Sequence, residues 1–476
     1  MRQKVISILA LLLMAATGAT AQPAPQVPNG DFETWTYDGA NLPNNWNSYS
    51  TGEGNFIKQL GKGSVTRSTD VRPGSAGQYS CDIVSGSALG MVAVGNLTSG
   101  RIVLGSMTAS NSANYNYSDR DGSNTKNEVV NPCAMRFTGK PKAVKVWVKF
   151  TQGTAQTTYK YAKFSAIIHS DADYIAYNDA SHDNDANKAL VVASAVKDDI
   201  VSNGGVWQEL TIPFEYTENA VEPAYILINA YTNTTPGKGS NGDHLYIDDI
   251  EMVYDLALDE TTDNTAKLTD WNDIKADVTL TRTLQTGGWN TFCAPFSTAT
   301  PSGWTVKELS SSAFDSSTGE LTLTFGAAES IEAGKPYLVK VTATVANPVF
   351  EGVTVSSTTT TTETTAVDFV PVMNPTNLTG GDKTVLFITG GNKLTYPSGD
   401  GNINGFRAYF KLKGEAASLA RAFRMSFDDD VTGITTVISD EPTTANGTYT
   451  LDGRRIEGQP TQKGLYIVNG KKTIIK

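Results

Sequence analysis

Apolar and polar residues alternate through much of the segment 27–254, and this pattern constrains the fold more than any other feature. In the run 142–150 the apolar residues share one face of an extended strand, whereas Lys145, Trp147 and Lys149 share the other. Similar runs occur at 161–168, 206–216, 224–231 and 245–253. Strands that are apolar on one face need a second sheet to cover that face, so the pattern predicts an all-β fold with a jelly-roll β-sandwich here.

A second β-rich region follows, and it predicts a second β-sandwich over 278–430 that serves as an accessory or spacer domain. The polar stretch 257–277 predicts a linker with one helical turn. The first domain then covers 22–256, and the tail 431–476 forms a small third part of the chain.

The amino terminus has the pattern of an export signal. Arg2 and Lys4 precede an apolar run, and Ala19 and Ala21 form a small-x-small cleavage site. The pattern predicts that residues 1–21 are a signal peptide, cleaved near Ala21, and that the chain is secreted. No later run approaches the roughly 20 apolar residues that a membrane-spanning helix needs, so no membrane insertion is predicted.

Charge and composition limit the classes of molecule that the chain can be expected to bind. Charged residues make up 18% of the chain, below the roughly 25% of an average domain. The net charge is −11, and it becomes −13 without Arg2 and Lys4. An acidic chain repels phosphate groups, which disfavours nucleic acid and anionic membrane surfaces. A neutral polymer such as a polysaccharide or other glycan is the better partner.

The three cysteines are Cys81, Cys133 and Cys293. They are too few for a disulfide framework, even in an oxidising compartment. Cys81 and Cys133 fall in the same predicted domain and either pair or remain buried thiols. Cys293 is predicted to be an ordinary core residue.

The tail alternates apolar and polar residues around Asp452-Gly453 and Asn469-Gly470, dipeptides that accept the positive φ of tight hairpin turns. This predicts a small all-β module. The module resembles the carboxy-terminal sorting domains of Bacteroidota type IX secretion. The residues that carry the resemblance are Tyr449, Leu451, Gly453 and Arg454, followed by Lys463, Gly464, Leu465, Tyr466, Ile467 and Val468. The resemblance implies attachment to the cell surface, outside the outer membrane; the alternative is a terminal strand pair that caps the preceding domain.

Several short motifs occur in a characteristic order along 27–254. They are Asn29-Gly30-Asp31-Phe32-Glu33 with Leu42-Pro43 and Trp46, Gly95-Asn96-Leu97, Phe137-Thr138-Gly139, Val206-Trp207 with Ile212-Pro213-Phe214, and Leu245-Tyr246-Ile247-Asp248-Asp249-Ile250. Together they resemble the carbohydrate-metabolism domain family of secreted Bacteroidota proteins, which is similar in outline to jelly-roll carbohydrate-binding modules. One departure lies at 146–150, where the family has a tyrosine-rich run and this chain has Trp147 and Phe150.

The resemblance implies a structural cation site where the first and last strands of such a domain meet. Glu33 and Asp248 would supply carboxylate oxygens to Ca²⁺, and backbone carbonyls and waters would complete the roughly six to eight ligands. Alternation along 246–252 places Asp248 among apolar neighbours, where a carboxylate must be paired. The alternative is that Asp248 accepts hydrogen bonds from the turn 29–32 with no metal.

Sugar binding requires an aromatic face for the apolar side of the sugar ring and polar groups for its hydroxyls. Trp147, outward between Lys145 and Lys149, is the first candidate. Tyr115 and Tyr117, in a segment rich in glycine, serine and asparagine, are the next. The alternative for Trp147 is that a loop covers it.

Motifs of catalysis are missing from the sequence. The histidines His169, His182 and His244 are far apart, and neither a nucleophile elbow nor a phosphate-binding loop occurs. Carboxylate pairs of glycoside hydrolases, however, follow no spacing rule in sequence. The sequence therefore predicts a non-catalytic carbohydrate-binding protein of a glycan-utilisation apparatus, and no enzyme. The alternatives are a structural or adhesive surface protein that binds other proteins, and a glycoside-active enzyme.

Overall fold

A computed structural model of the chain describes residues 24–35, 42–124, 131–176, 185–390 and 392–428, with the strand segments 448–450, 455–456, 464–468 and 471–475. The predicted signal peptide lies outside the described residues. The chain forms two compact units, Met1–Tyr254 and Asp255–Lys476.

The first unit is built from short strands. These are β1 Ser64–Ser68, β2 Ser80–Val84, β3 Gly86–Ala88, β4 Met91–Ala93, β5 Asn96–Thr98, β6 Arg101–Leu104, β7 Asn114–Tyr117, β8 Asp119–Asn124, β9 Asn131–Cys133, β10 Met135–Arg136, β11 Ala143–Thr151, β12 Tyr161–His169, β13 Ile175–Ala176, β14 Val191–Val201, β15 Gln208–Pro213, β16 Glu215–Tyr216, β17 Tyr225–Tyr231 and β18 His244–Val253. Its helical segments are a 3₁₀ turn at Tyr49–Thr51, α1 Ile57–Leu60 and α2 Asp185–Lys188.

Two antiparallel sheets form the sandwich. The first has the strand order β1-β2-β18-β11-β15, and the second has the order β10-β17-β12-β14-β16 with β5 also beside β17. In β11, Val146 and Val148 are fully buried while Trp147 between them is only half-buried. Phe164 of β12 and Ile226 of β17 are likewise fully buried. The prediction of an all-β sandwich is therefore confirmed.

The opening segment, residues 24–35, lies along the last strand of the unit, where the resemblance implied that the first strand would lie; these residues form no strand. The backbone N–H of Ile250 donates to the carbonyl of Gly30 at 2.8 Å. The side-chain amide of Gln26 pairs with the backbone of Met252 through hydrogen bonds of 2.8 and 2.7 Å. Trp46 is fully buried and donates through Nε1 to the carbonyl of Asn29 at 3.1 Å, so this tryptophan of the motif is a core residue.

A further layer covers the outer face of the second sheet. It comprises the hairpin of β3 and β4 and the small sheet β13-β7-β6. Asn116 of β7 donates to Asn229 of β17 at 2.7 Å. Ser118 and His169 of β12 are hydrogen-bonded at 2.8 Å. These contacts attach the extra layer to the sandwich and leave a cavity beside them.

The second unit contains β19 Asp255–Asp259, β20 Lys275–Thr281, β21 Thr283–Leu284, β22 Asn290–Cys293, β23 Thr298–Ala299, β24 Trp304–Asp315, β25 Glu320–Ala327, β26 Ser330–Ile331, β27 Pro336–Val341, β28 Val345–Ala346, β29 Val349–Thr354, β30 Thr362–Glu363, β31 Val367–Val372, β32 Thr376–Leu378, β33 Val385–Thr389, β34 Lys393–Thr395, β35 Gly401–Ile403, β36 Arg407–Leu412 and β37 Ala422–Phe427. Its helices are α3 Thr265–Asp270 and α4 Ala416–Leu419. Cys293 is buried in its core, as predicted, and Cys81 and Cys133 of the first unit are buried free thiols.

The stretch 257–277, expected to be a linker, contributes to the core of the second unit. β19 pairs in parallel with β20, which in turn pairs with β29. Leu258 of β19 and Leu268 of α3 are buried in the same apolar cluster as Val278. Parallel pairing joins residues about twenty positions apart, and local polarity does not reveal it. The units accordingly divide at Tyr254, two residues before the expected boundary.

The tail forms one sheet of β38 Thr448–Thr450, β39 Arg455–Ile456, β40 Gly464–Val468 and β41 Lys471–Ile475, in the order β39-β38-β40-β41. All three pairings in that sheet are antiparallel, in agreement with the predicted β module. The turn dipeptides at 452–453 and 469–470 lie outside the described residues. Across the described parts of the chain, no helix has both the length and the apolar character needed to cross a membrane.

Candidate functional site

Glu33 follows the first turn of the unit, and its carboxylate binds backbone amides. Its Oε1 accepts hydrogen bonds from the N–H groups of Gln78 at 2.9 Å and Tyr79 at 2.8 Å. Both amides belong to the loop that precedes β2. Glu33 therefore fastens the opening segment to that loop.

Asp248 is 1% exposed in β18. Its Oδ2 accepts a hydrogen bond from the N–H of Arg72 at 3.4 Å, and its Oδ1 accepts one from the N–H of Asp249 at 2.9 Å. Burial, with the nearby charge of Asp249, raises the pKa of Asp248 to about 7. The expected donors in the turn 29–32 are thus replaced by Arg72 and Asp249.

Glu33 and Asp248, the predicted cation ligands, both accept hydrogen bonds from the loop 70–79, but from different residues of it. Each carboxylate accepts two backbone N–H groups in this arrangement. Within the described ranges, no group of three or more His, Cys, Asp or Glu side chains is placed to hold a metal ion. The donor set around Asp248 fits metal-free pairing, and calcium stays a prediction that unfolding experiments can test.

Trp147 faces outward from β11, but its ring is partly covered. The Arg72 guanidinium lies over it, with Cζ 5.4 Å from the ring centroid. Arg72 also forms an ion pair with Asp249, which holds this loop against the sheet. The arrangement matches the alternative in which a loop covers the tryptophan, and it leaves less ring surface for a sugar.

Tyr115 and Tyr117 lie together in β7, with their ring centroids 5.6 Å apart in an edge-to-face contact. Only Tyr115 lines the cavity between β7 and the second sheet. The Tyr117 hydroxyl instead donates to Oδ2 of Asp119 at 3.1 Å. Burial, together with the charge of Asp119, raises the pKa of Tyr117 to about 12. The structure therefore separates two residues that were equivalent in sequence.

The cavity, named here the tyrosine cavity, is lined by the rings of Tyr49, Tyr115 and Tyr231 and by Met91 and Met107, among others. Its volume is about 100 Å³, and it opens to solvent. The Tyr49 hydroxyl donates to the carbonyl of Val94 at 2.9 Å, which fixes that ring. Burial raises the pKa values of Tyr49 and Tyr231, so both remain neutral donors and acceptors.

Amide groups form the inner wall of the tyrosine cavity. Asn96 and Asn116 exchange two hydrogen bonds of 3.1 and 3.0 Å and are 6% and 4% exposed. Asn116 also lies 3.1 Å from the Tyr231 hydroxyl. Further polar residues of the lining are Ser106, Asn114, Lys163, Asn233 and Thr234. Burial lowers the pKa of Lys163, although Asp198 opposes the shift. A ligand here meets aromatic rings and amides side by side.

A second group of aromatic and charged side chains lies on the outer face of the first sheet. This sheet-face cluster consists of Asp70, Asp82, Lys149, Trp207, His244 and Tyr246. The Lys149 amine forms an ion pair with Asp70 and lies 4.0 Å from the Tyr246 centroid and 5.4 Å from the Trp207 centroid. Its side chain is 7% exposed. The cluster thus holds Lys149 firmly and leaves the rings half-buried.

Hydrogen bonds and ring contacts join the remaining members of the sheet-face cluster. His244 is hydrogen-bonded to Asp82 at 3.0 Å and stacks on Tyr246 with 5.9 Å between ring centroids. Trp207 donates through Nε1 to Asp70 at 3.0 Å. Sequence reasoning missed this cluster. Alternation along 246–252 placed Tyr246 and Asp248 on one face of β18, as observed, but the prediction that Ile250 and Met252 share that face was wrong. The register shift at Asp249, whose φ is +45°, turns those two residues to the buried face. Strand order was needed to bring Lys149 beside Tyr246.

His169, at the end of β12, is a structural residue that joins the second sheet to the layer that covers it. It is fully buried, and burial lowers its pKa to about 4, so the ring is neutral at physiological pH. Its ring stacks between Tyr174 and Tyr225, with centroid distances of 5.3 and 5.8 Å. His182 lies outside the described residues.

No protein-family model and no curated protein matches the chain. A solved Bacteroides vulgatus protein described as a candidate glycoside hydrolase has a TM-score of 0.30 and 15% identity over 40% of this chain and 76% of its own. A structure of carbohydrate-binding modules of the β-sandwich superfamily has a TM-score of 0.20 and 10% identity over 40% and 52% of the two chains. A Stig cyclase from Fischerella has a TM-score of 0.17 and 12% identity over 47% and 98%. Similarities this low carry no argument about function.

Proposed function

We propose that the first unit binds carbohydrate without cleaving it and that the tyrosine cavity holds the sugar. One observation carries the proposal: the rings of Tyr49, Tyr115 and Tyr231 and the amides of Asn96 and Asn116 line one concave space. Aromatic rings pack against the C–H face of a sugar ring, and amides both donate to and accept from its hydroxyls. A cavity of this mixed character suits a neutral sugar.

The polar groups of the cavity favour binding over hydrolysis. Cleavage of a glycosidic bond needs a pair of carboxylates, one of them acting as acid. The described residues that line the tyrosine cavity offer amides, hydroxyls and the Lys163 amine, and none of them is Asp, Glu or His. These groups bind hydroxyls but do not supply that pair.

An array of plant, host and microbial glycans, probed with the full chain, tests the proposal. We expect binding to a defined subset, confirmed by calorimetric titration, and recovery of the bound glycans uncut after prolonged incubation. A folded sample that binds none of them would overturn the binding proposal. Release of shortened products would instead support the glycoside-active alternative.

The proposed location is the outer surface of a Bacteroidota cell, reached by export and held through the tail 431–476. The pattern at 1–21 and the sorting-like motif in the tail support this. We expect the full chain to be degraded when intact cells are treated with protease, and a chain lacking 431–476 to be protected or absent from the surface. Equal protease sensitivity of the two chains would contradict the role of the tail.

The pH dependence of stability separates calcium at Asp248 from metal-free pairing. Without metal, the folded state raises the pKa of Asp248 from 3.8 to about 7. The stability that this group contributes is then complete below about pH 4 and is lost as pH rises to about 7. Bound calcium requires the ionised carboxylate and would reverse that slope.

We expect the thermal midpoint of the first unit to decrease as the pH is raised from about 4 to about 7, both with and without chelator. Asp248→Asn, which cannot titrate, should remove that part of the slope. A midpoint that rises on addition of calcium and drops with chelator would establish the metal site instead.

A further inference from the structure

The mouth of the tyrosine cavity exposes large apolar side chains to water. Met91 and Met107, which both line the cavity, are 37% and 45% exposed. Leu89 is 70% exposed at the tip of the hairpin formed by β3 and β4, next to Ala88 of the lining. Apolar side chains grouped at a cavity mouth mark a surface that contacts a ligand. Leu89, Met91 and Met107 are named here the apolar rim.

The backbone at Leu89 is strained as well as exposed. Ala88 pairs with Met91, so Leu89 and Gly90 are the two residues of the hairpin turn. Their φ angles are +52° and +76°, as a type I′ turn requires, and Asn-Gly is the pair that adopts this turn most readily. Leucine disfavours the left-handed region. Leucine at this position costs free energy both through its backbone conformation and through exposure of its apolar side chain to water. Such a residue suggests a role in contact with a ligand.

Polarity changes along the tyrosine cavity. Asn96 and Asn116 are almost fully buried at its inner wall, whereas Met91 and Met107 are partly exposed at its mouth. A sugar bound against the amides would leave its next substituent beside the apolar rim. The matching ligand is therefore polar at one end and apolar at the other.

We propose that the tyrosine cavity recognises glycosides whose sugar carries an apolar alkyl or aryl group, and that the apolar rim contacts this group. The inference rests on the proposed function, since the sugar occupies the inner end. Leu89, exposed in the free protein, covers the apolar group of the bound ligand.

Paired probes test the inference on the full chain: methyl and octyl glycosides of glucose, galactose, mannose and N-acetylglucosamine, below the micelle concentration, with 1-octanol alone as a further probe. For the sugar that binds, we expect the octyl glycoside to bind about tenfold or more tightly than the methyl glycoside, the gain expected when about two methylene groups leave water. Octanol alone should bind more weakly than the octyl glycoside.

Leu89→Asn gives the sharpest variant, because two effects should move in opposite directions. We expect the thermal midpoint to rise, since Asn-Gly suits the turn, while the ratio of octyl to methyl glycoside affinity falls. Met107→Gln should reduce the same preference from the other side of the mouth. Leu419→Asn, at a 52% exposed leucine of the second unit, is the matched control and should change neither quantity.

Any other result would overturn a specific part of the inference, either the apolar rim or the sugar at the inner end. Equal affinity for methyl and octyl glycosides, or an octyl preference that survives Leu89→Asn and Met107→Gln, overturns the apolar rim and leaves sugar binding intact. Octanol binding as tight as the octyl glycoside overturns the sugar at the inner end. Binding of no probe, together with a blank glycan array, removes the proposed function and this inference with it.

Discussion

Glu260→Ala is expected to destabilise the second unit by about 3 to 5 kcal/mol, the cost of removing one partner of a buried ion pair. Arg282 is fully buried, and its Nη2 donates to the carbonyl of Thr291 at 2.6 Å. Its Nε lies 3.7 Å from Oε2 of Glu260, and Arg407 donates to the same oxygen at 2.7 Å. Burial, and then the charge of Arg407, lower the pKa of Arg282 to about 9, while Glu260 opposes that shift. Without Glu260 two guanidinium groups would face each other with no counter-charge.

The unfolding transition of the second unit, followed by scanning calorimetry on the full chain, measures this effect. Glu329→Ala removes an exposed carboxylate from the same unit and should change stability by less than about 0.5 kcal/mol. The double variant Glu260→Ala with Arg282→Met should lose less than the sum of the single losses, because the two groups interact. A loss below about 1 kcal/mol for Glu260→Ala would mean that water, and not Glu260, compensates the buried charge.

Local alternation predicted the elements of the sandwich well. In β11 the buried face of Val146 and Val148 and the outward Trp147 follow from period-two spacing alone, because side-chain direction in a strand is a local property. The contact of the opening segment with β18 was expected only from the family resemblance, and there the first strand was to make it. Parallel pairing of β19 with β20 was missed, since nothing in a short polar run reveals a partner far along the chain.

The site was less predictable than the fold because it depends on strand order and on the covering layer. Alternation along β7 puts Tyr115 and Tyr117 on the same face, yet only Tyr115 reaches the tyrosine cavity. Lys149, Tyr246 and Trp207 are distant in sequence and meet because β18, β11 and β15 are neighbours in the first sheet. Such meetings between strands are set by tertiary pairing, and a single sequence gives no direct signal for them.

The difference between the two tyrosines leads to the second large effect. Tyr115→Ala should weaken binding of the glycan found on the array by about 30-fold or more, corresponding to about 2 kcal/mol, as for an aromatic side chain central to a binding site. Tyr117→Ala is the matched control: it removes the same ring from the same strand, but this ring lies outside the cavity lining and bonds to Asp119. We expect it to leave the affinity within about twofold, because the Tyr117 ring touches Tyr115 but does not itself line the cavity.

The variant Trp147→Ala tests whether the sugar binds in the tyrosine cavity or on the outer face of the first sheet. Because Arg72 lies over the Trp147 ring, removal of the Trp147 side chain should change glycan affinity much less than Tyr115→Ala does. Isothermal titration of all three variants, with circular dichroism to confirm folding, decides the matter. A large loss for Trp147→Ala with none for Tyr115→Ala would move the sugar to the sheet face, where Tyr246 and Trp207 would then be its nearest aromatic partners.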